Sequence, residues 1–412
     1  MQALLGIGLL LALCVAISEA RHSISWRLPA LGLLMQLVLL VVLLEVAWVA
    51  EAMASLNVIV AAVETATRAG TEFLFGYLGG GELPFAVREG AATYLLAFRV
   101  LPQVVVFSAL VAVLWHVGLL PAIVRGFGWL LRRSLGISGA EGTAGAATLF
   151  MGMVETPLVI RAYLERMQRA ELFAVMTFGM STVAGSVMIL YAATLADTIP
   201  NVVGHILSAS VLNVIGAGYV SRLLVPGTHT TTDAPDSMDT RRYQSFMDAL
   251  TRGISDGLTL ALNVGAMLLV FVSLVALLNG MIGWIDVAGA PLSLQRILGW
   301  LFSPVAWLIG IPWAEALRAG ELLGTKLVLN ELVAYLYLAE IGEVFTERTR
   351  LVLMYALCGF ANFGSLGILL GGLTIWLPER RSEVLSLAPL SVVSGTVVTL
   401  ITGALVAIVT VF

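Results

Sequence analysis

Five apolar runs, each twenty residues or longer, leave this chain few ways to fold: Leu28 to Ala47, Val100 to Leu119, Phe173 to Ala193, Leu258 to Leu278 and Leu385 to Val411. A helix crosses a hydrocarbon core of about 30 Å with roughly 20 residues. Within lipid the backbone must satisfy its own polar groups, which leaves helices or closed barrels. Barrel strands alternate polar and apolar residues, and these runs do not. The chain reads as an all-α polytopic membrane protein, and its composition agrees: 59% hydrophobic and 12% charged, where soluble domains carry about 25% charged residues.

The net charge of −4 comes without a basic tract, so nucleic acid is not an expected partner; the lipid bilayer is. Cys14 and Cys358 both fall in apolar segments and are expected as inert core thiols rather than a disulfide. The opening MQALLGIGLLLALCVAISEA lacks the positive n-region of a secretory signal, and its Arg21 and Arg27 follow the apolar stretch. It reads as a retained first helix with its N-terminus outside, and LALC is a poor lipobox because a leucine stands where a small residue belongs.

Charge then orders the crossings. With Arg21 and Arg27 cytoplasmic, the same side receives Arg125, Arg132, Arg133, Arg161, Arg166, Arg169, Arg222, Arg241, Arg242, Arg252, Arg380 and Arg381, which is 14 of the 22 basic residues. That bias predicts eight full crossings with both termini outside. The polar stretch at 225–242, VPGTHTTTDAPDSMDTRR, is the one good linker and divides the membrane region in two.

The halves repeat one order. GWLLRRSLGI at 128–137 is answered by GWLFSPVAWLIGI at 299–311, each followed by a glutamate, Glu155 and Glu331, and then by a Gly/Ser-interrupted span, MSTVAGSV at 180–187 and FANFGSLG at 360–367. Between them lie apolar segments too short to cross, LFMG before MVETPLVI and GELLG before KLVLNEL, which predict two re-entrant hairpins. In opposed repeats the hairpin tips meet near the midplane, and paired broken segments of this kind point to a transporter's binding site. The expected division is 1–120 for N-terminal scaffold helices, 121–222 for the first hairpin repeat, and 223–254 for a cytoplasmic polar linker. A scaffold helix at 255–290, the second hairpin repeat at 291–383 and a final crossing at 384–412 complete it.

A carboxylate at bilayer depth costs about 2.5–3.5 kcal/mol on insertion scales. Glu155 and Glu331 are therefore expected to accept charge-assisted hydrogen bonds from a hydroxyl-rich substrate and to attract a coupling cation. The competing account for both is structural: an ion pair, Lys326 being the one lysine of the chain, or a helix-cap carboxylate. Asn330, Asn362 and Ser365 add neutral donors and acceptors at the same level, Asn362 beside a Gly break. Lys326 is read as a cap for the hairpin tip or a balancing charge, His116 as a core histidine, and Glu45 as facing a subunit contact or snorkelling. Enzyme chemistry has no foothold: the sequence lacks a GxSxG elbow, an HExxH pair, Cys/His metal spacing and a GxxxxGK loop.

Four segments, GMVETP (152–157) with RAYL (161–164), STVAGSV (181–187), GTKLVLNELVAY (324–335) and CGFANFGSLGI (358–368), resemble the signatures of the concentrative nucleoside transporter family in order and spacing. The resemblance spans nearly the whole chain. It implies about eight transmembrane helices plus two re-entrant hairpins in inverted repeats, arranged as scaffold and transport domains of elevator type in a homotrimer of the bacterial inner membrane. It also implies secondary active import of nucleosides on a sodium or proton gradient, with no cofactor. By position, Glu155, Glu331, Asn362 and Ser365 match the residues that hold the ribose, and Val187 lies near the base. Met153 and Val154 replace a glutamine and a threonine that face the nucleobase in the family. A site that cannot hydrogen-bond the base discriminates weakly, so altered selectivity is expected, broader or purine-leaning. Cargo that is a nucleobase or modified nucleoside is the alternative, as is a non-transporting membrane sensor on the same fold. Thr148 and Thr182 stand where sodium-coupled relatives carry an asparagine and a serine, with Met151 and Val183 completing the implied sodium site.

Overall fold

A computed structural model describes residues 1–86, 95–227, 243–287 and 289–410. Three helices open the chain, α1 (Gln2–Ala16), α2 (Arg27–Glu45) and α3 (Ala47–Phe75), followed by a short α4 (Leu96–Arg99) that runs into α5 (Leu101–His116). The first repeat comprises α6 (Leu119–Leu135), α7 (Gly139–Ala147), α8 (Thr156–Val159), α9 (Arg161–Leu164), α10 (Arg169–Ser181), α11 (Gly185–Leu195) and α12 (Val202–Leu224). A long α13 (Phe246–Ile282) and a small hairpin of β1 (Asp286–Val287) and β2 (Ala290–Pro291) separate it from the second. That repeat comprises α14 (Leu294–Leu308), α15 (Trp313–Val328), α16 (Glu331–Ile341), α17 (Glu347–Leu357), α18 (Phe363–Trp376) and α19 (Arg381–Val409).

Among the described residues, six helices or merged helices are long and apolar enough to cross a membrane: α2, α4–α5, α10–α11, α12, α13 and α19. The bent α14–α15 pair would make a seventh if it counts as one span, and α1 and α18 are apolar but shorter. α3 carries Glu51, Glu64, Arg68 and Glu72 along its length and is not among them. α12 ends and α13 begins inside the interval read as the linker; residues 228–242, with Arg241 and Arg242, lie outside the described residues.

The repeat seen in sequence is a repeat in space. Each Gly-Trp glycine sits where an amphipathic helix crosses the first arm of a hairpin: a Cβ on Gly128 would lie 3.1 Å from the Gly142 carbonyl, and one on Gly320 would lie 2.7 Å from the Gly299 carbonyl. Only glycine lets two helix backbones approach this closely. After α14 the chain turns by 118° into α15. The hairpins are longer than the sequence reading gave. The first arm of hairpin one is α7, and LFMG is its tip; GELLG lies inside α15. α7 had its own signature, the Ser138–Glu141 capping box, in which each side chain bonds the other's backbone.

Burial sorts the helices into layers. The α10–α11 span is 89% buried, and α12 and α19 are each 83% buried, whereas α13 is 17% buried. α13 presents Leu258, Leu262, Leu269 and Val272 outward and packs along α5 through Gly253 and Gly257. On the other side, α1 and α2 lie against α12 and α19, where Gln36 is fully buried, donates to the Leu212 carbonyl at 2.8 Å and accepts from the Tyr219 hydroxyl at 2.6 Å.

Three of the basic residues assigned to one side lie close together. Arg169 pairs with Glu19 at 2.7 Å and donates to Ser386 at 3.1 Å, while Arg380 donates to the Leu164 and Met167 carbonyls. Arg222, at the end of α12, forms a buried pair with Glu141 and so anchors hairpin one beside them. Cys14 and Cys358 are both free and buried. His116, read as a core histidine, is half-buried at the last position of α5, and Glu45 is exposed at the end of α2.

Candidate binding site between the hairpin tips

Four helices begin around one cavity and four end behind it. α10 stops at Ser181, where Thr182 (φ −108°, ψ 175°) turns the chain extended before α11 begins at Gly185. In the second repeat Asn362 is extended (φ −150°, ψ 166°) and N-caps α18 by accepting from the Ser365 amide at 2.7 Å. Asn330 likewise N-caps α16, accepting from the Val333 amide at 2.8 Å. Asparagine is a preferred N-cap because its side-chain oxygen takes an amide that the helix leaves unpaired. The starts of α8, α11, α16 and α18 then face the cavity, and helix N-termini favour negative charge.

Glu331 is the first residue of α16 and 5% exposed. Both of its oxygens are engaged: the Tyr191 hydroxyl donates to Oε1 at 2.5 Å and Asn362 Nδ2 donates to Oε2 at 2.7 Å. Hydrogen bonds to charged groups contribute about 1.5–3 kcal/mol each, so two of them offset the insertion cost of the carboxylate. The ion pair with Lys326 that the sequence left open is not formed. The Lys326 ammonium donates instead to the Ala356 carbonyl at 3.0 Å and the Thr399 hydroxyl at 2.7 Å.

The cavity holds about 190 Å³ and is lined by Met153, Val154, Glu155, Val187, Asn330, Glu331 and Ser365 among the residues expected from sequence. Asn362, the eighth of that set, is fully buried and reaches the site through Glu331. The opposite wall is apolar and comes from α13, through Leu260, Val264, Met267 and Leu268. A smaller pocket of about 30 Å³ shares Glu155 and Ser186 with the cavity and continues past Ser108, Trp115, Tyr243 and Asp256. Glu155 thus stands between the apolar chamber and a polar one.

Met153 and Val154 also hold the tip in place. The Met153 Cβ lies 3.0 Å from where a Cβ on Gly179 would be, and Val154 Cγ1 lies 2.9 Å from the corresponding point on Gly372. Glycines of two broken spans thus form sockets for the tip of hairpin one.

The residues of the implied sodium site lie on the two segments that meet here, Thr148 and Met151 at the tip and Thr182 and Val183 at the α10–α11 break. Thr148 and Thr182 are 1% and 2% exposed, and Met151 and Val183 are buried with them. The Phe150 carbonyl lies 3.3 Å from where a Cβ on Gly185 would be, so the tip rests on the break. Each threonine hydroxyl donates to a carbonyl of its own helix at 2.8 Å, Thr148 to Gly145 and Thr182 to Phe178, which leaves their lone pairs for a cation. Helix C-termini, hydroxyls and carbonyls are neutral oxygen donors of the kind an alkali cation takes. Among the described residues no three His, Cys, Asp or Glu side chains converge, so the donor set does not suit a transition metal.

Behind the cavity the two breaks touch. Asn213 of α12 donates to the carbonyls of Ser181 at 2.8 Å and Cys358 at 2.7 Å, the ends of the two interrupted spans, and accepts from Thr402 of α19 at 2.6 Å. Asn213, Tyr191 and the true partners of Lys326 escaped the sequence reading. A polar side chain in an apolar span is the signal they offered, but their partners lie 30 to 189 residues away.

Comparison with known proteins places this geometry. Family models match described as "Na+ dependent nucleoside transporter N-terminus" over residues 5–78, "Nucleoside recognition" over 97–198 and "Na+ dependent nucleoside transporter C-terminus" over 205–407. The nucleoside permease NupC of Helicobacter pylori is 33% identical, with 95% of this chain and 93% of that protein aligned. The uncharacterized transporter YutK of Bacillus subtilis is 38% identical over 98% of this chain and 97% of its own length. The solved structure of CNTnw in an inward-facing substrate-bound state superposes with a TM-score of 0.89 at 37% identity, covering 99% of this chain and 98% of that one.

Proposed function

Because the chain belongs to the concentrative nucleoside transporter family, a family of membrane transporters and not of enzymes, we propose that it imports nucleosides across the bacterial inner membrane, driven by a sodium or proton gradient. The observation that carries this reading is Glu331, buried between Tyr191 and Asn362 and facing the cavity where both hairpin tips meet. In this reading Glu155, Glu331, Asn362 and Ser365 take the ribose hydroxyls, and Asn330 fixes the start of α16 beneath them. Val187, Met153, Val154 and the α13 wall surround the base. The coupling cation sits at Thr148, Met151, Thr182 and Val183, close enough to the tip to tie its closure to cation binding.

Alternating access follows from the layering. The hairpin repeats move as a transport body past a scaffold that includes α5 and α13, within a homotrimer, with the Arg-rich end cytoplasmic and both termini outside. Substrate and cation together satisfy the carboxylates during that passage. Substrate without cation leaves charge uncompensated in a medium where unpaired charge is costly, and this is the source of coupling.

The test is uptake of labelled uridine and adenosine into proteoliposomes under a sodium gradient, a proton gradient or neither, with Glu331→Gln as control. Gradient-dependent uptake that the variant loses is the expected result and identifies the ion. A second reading, in which the cargo is a nucleobase or modified nucleoside, is favoured by the apolar Met153–Val154 pair. Competition by unlabelled nucleobases that exceeds competition by nucleosides would select it.

A further inference from the structure

The two repeats differ where their symmetry predicts the same chemistry. In each, the first hairpin arm ends against the end of a broken span, so two helix C-termini meet. Helix C-termini carry partial negative charge and favour a cation. In the second repeat that cation is part of the chain. Lys326, two residues before the end of α15, is 2% exposed and donates to the Ala356 carbonyl in the last turn of α17 and to Thr399 of α19. In the first repeat, Thr148 answers Lys326 when counted from the crossing glycines Gly142 and Gly320, and Gly145 answers it when counted back from the helix ends; neither α7 nor α10 has a basic residue in its last turn. A Cβ on Gly145 would point at Phe178 of α10 and Val214 of α12, at 3.2 and 3.1 Å, the counterparts of the helices that receive Lys326. Val214 and Thr399 correspond as well, each ten residues before the last residue of its helix. The first repeat lacks both the lysine and the hydroxyl that holds it, and it is there that Thr148 and Thr182 present oxygen.

We propose that the Lys326 ammonium is a tethered cation, holding in the second repeat the place that the mobile coupling cation takes in the first, so that the carrier moves with one mobile cation. Lys326 is then a positioning residue: it neutralises the ends of α15 and α17 and acts through space on Glu331 without touching substrate. This rests on the cation-coupled reading of the first-repeat site.

The experiment measures binding of labelled uridine to purified protein against sodium concentration, with choline holding ionic strength constant, for the parent and Lys326→Thr. The parent is expected to be first order in sodium. The variant is expected to bind weakly at low sodium and recover at high sodium with second-order dependence, or to recover with ethylammonium, which supplies the missing charge. A lysine that merely packs would change affinity without changing the order. A folded Lys326→Thr with the parental order and no response to ethylammonium overturns the proposal. Should the variant fold poorly, its yield and melting temperature are read against added sodium and ethylammonium; recovery with either supports the proposal, and recovery with neither overturns it. If the parent shows no dependence on sodium and none on pH in the same assay, the coupled reading fails on its own, while a sodium dependence that appears only in Lys326→Thr still identifies the tethered charge. The converse variant, Gly145→Lys with Val214→Thr, is expected to bind uridine without added cation.

Discussion

At the scale of single residues, the site depends on satisfying one carboxylate. Tyr191 contributes an apolar ring, packed 4.9 Å from that of Tyr335, and a hydroxyl aimed at Glu331. Removing that hydroxyl leaves Oε1 without its donor and frees the carboxylate to turn. Tyr191→Phe is therefore expected to weaken uridine binding by about tenfold or more, since a bond to a charged group contributes about 1.5–3 kcal/mol. Calorimetric titration checks this, and an unchanged Kd would mean that Asn362 alone orients Glu331. Glu155, Glu331, Asn330, Asn362 and Ser365 were legible because each interrupts an apolar run or sits at a Gly break. Tyr191 was not, since tyrosine is at home in apolar spans and only its partner, 140 residues away, reveals its role.

At the scale of elements, glycine decides how closely the hairpins dock. Gly372 receives Val154, and a methyl group placed there would meet Val154 Cγ1 at 2.9 Å. Overpacking typically costs about 1–3 kcal/mol. Gly372→Ala should therefore lower the melting temperature and slow uptake, and Val154→Ala in the same chain should restore both. Lack of rescue would place the strain elsewhere on α18. The repeat and the two hairpins were readable from the paired Gly-Trp and glutamate landmarks. Hairpin lengths were not, because α7, with the sequence GAEGTAGAA, has too little apolar contrast to announce a helix. Its capping box was the available signal.

At the scale of the whole molecule, the layering and the charge bias make one statement about orientation. Ser23, between α1 and α2, and Asp286, after α13, are both exposed and are expected on opposite sides of the membrane. With Cys14 and Cys358 replaced, Ser23→Cys should react with an impermeant maleimide only from the cytoplasmic side and Asp286→Cys only from outside. The reverse pattern would invert the topology and exchange the faces from which the hairpins enter. Five of the six spans long and apolar enough to cross among the described residues were legible from hydropathy; α12 was not, and α1 and α18, at 15 and 14 residues, are each shorter than a full span. The layering was not, since α13 and α19 are comparably apolar while one is 17% and the other 83% buried.

Asn213 brings these scales together. One amide joins the ends of both interrupted spans, and Thr402 locks its orientation. The two interrupted spans are therefore stitched at their centres to each other and to α12 and α19, so the halves of the chain are joined at the level of the site and not only at their ends.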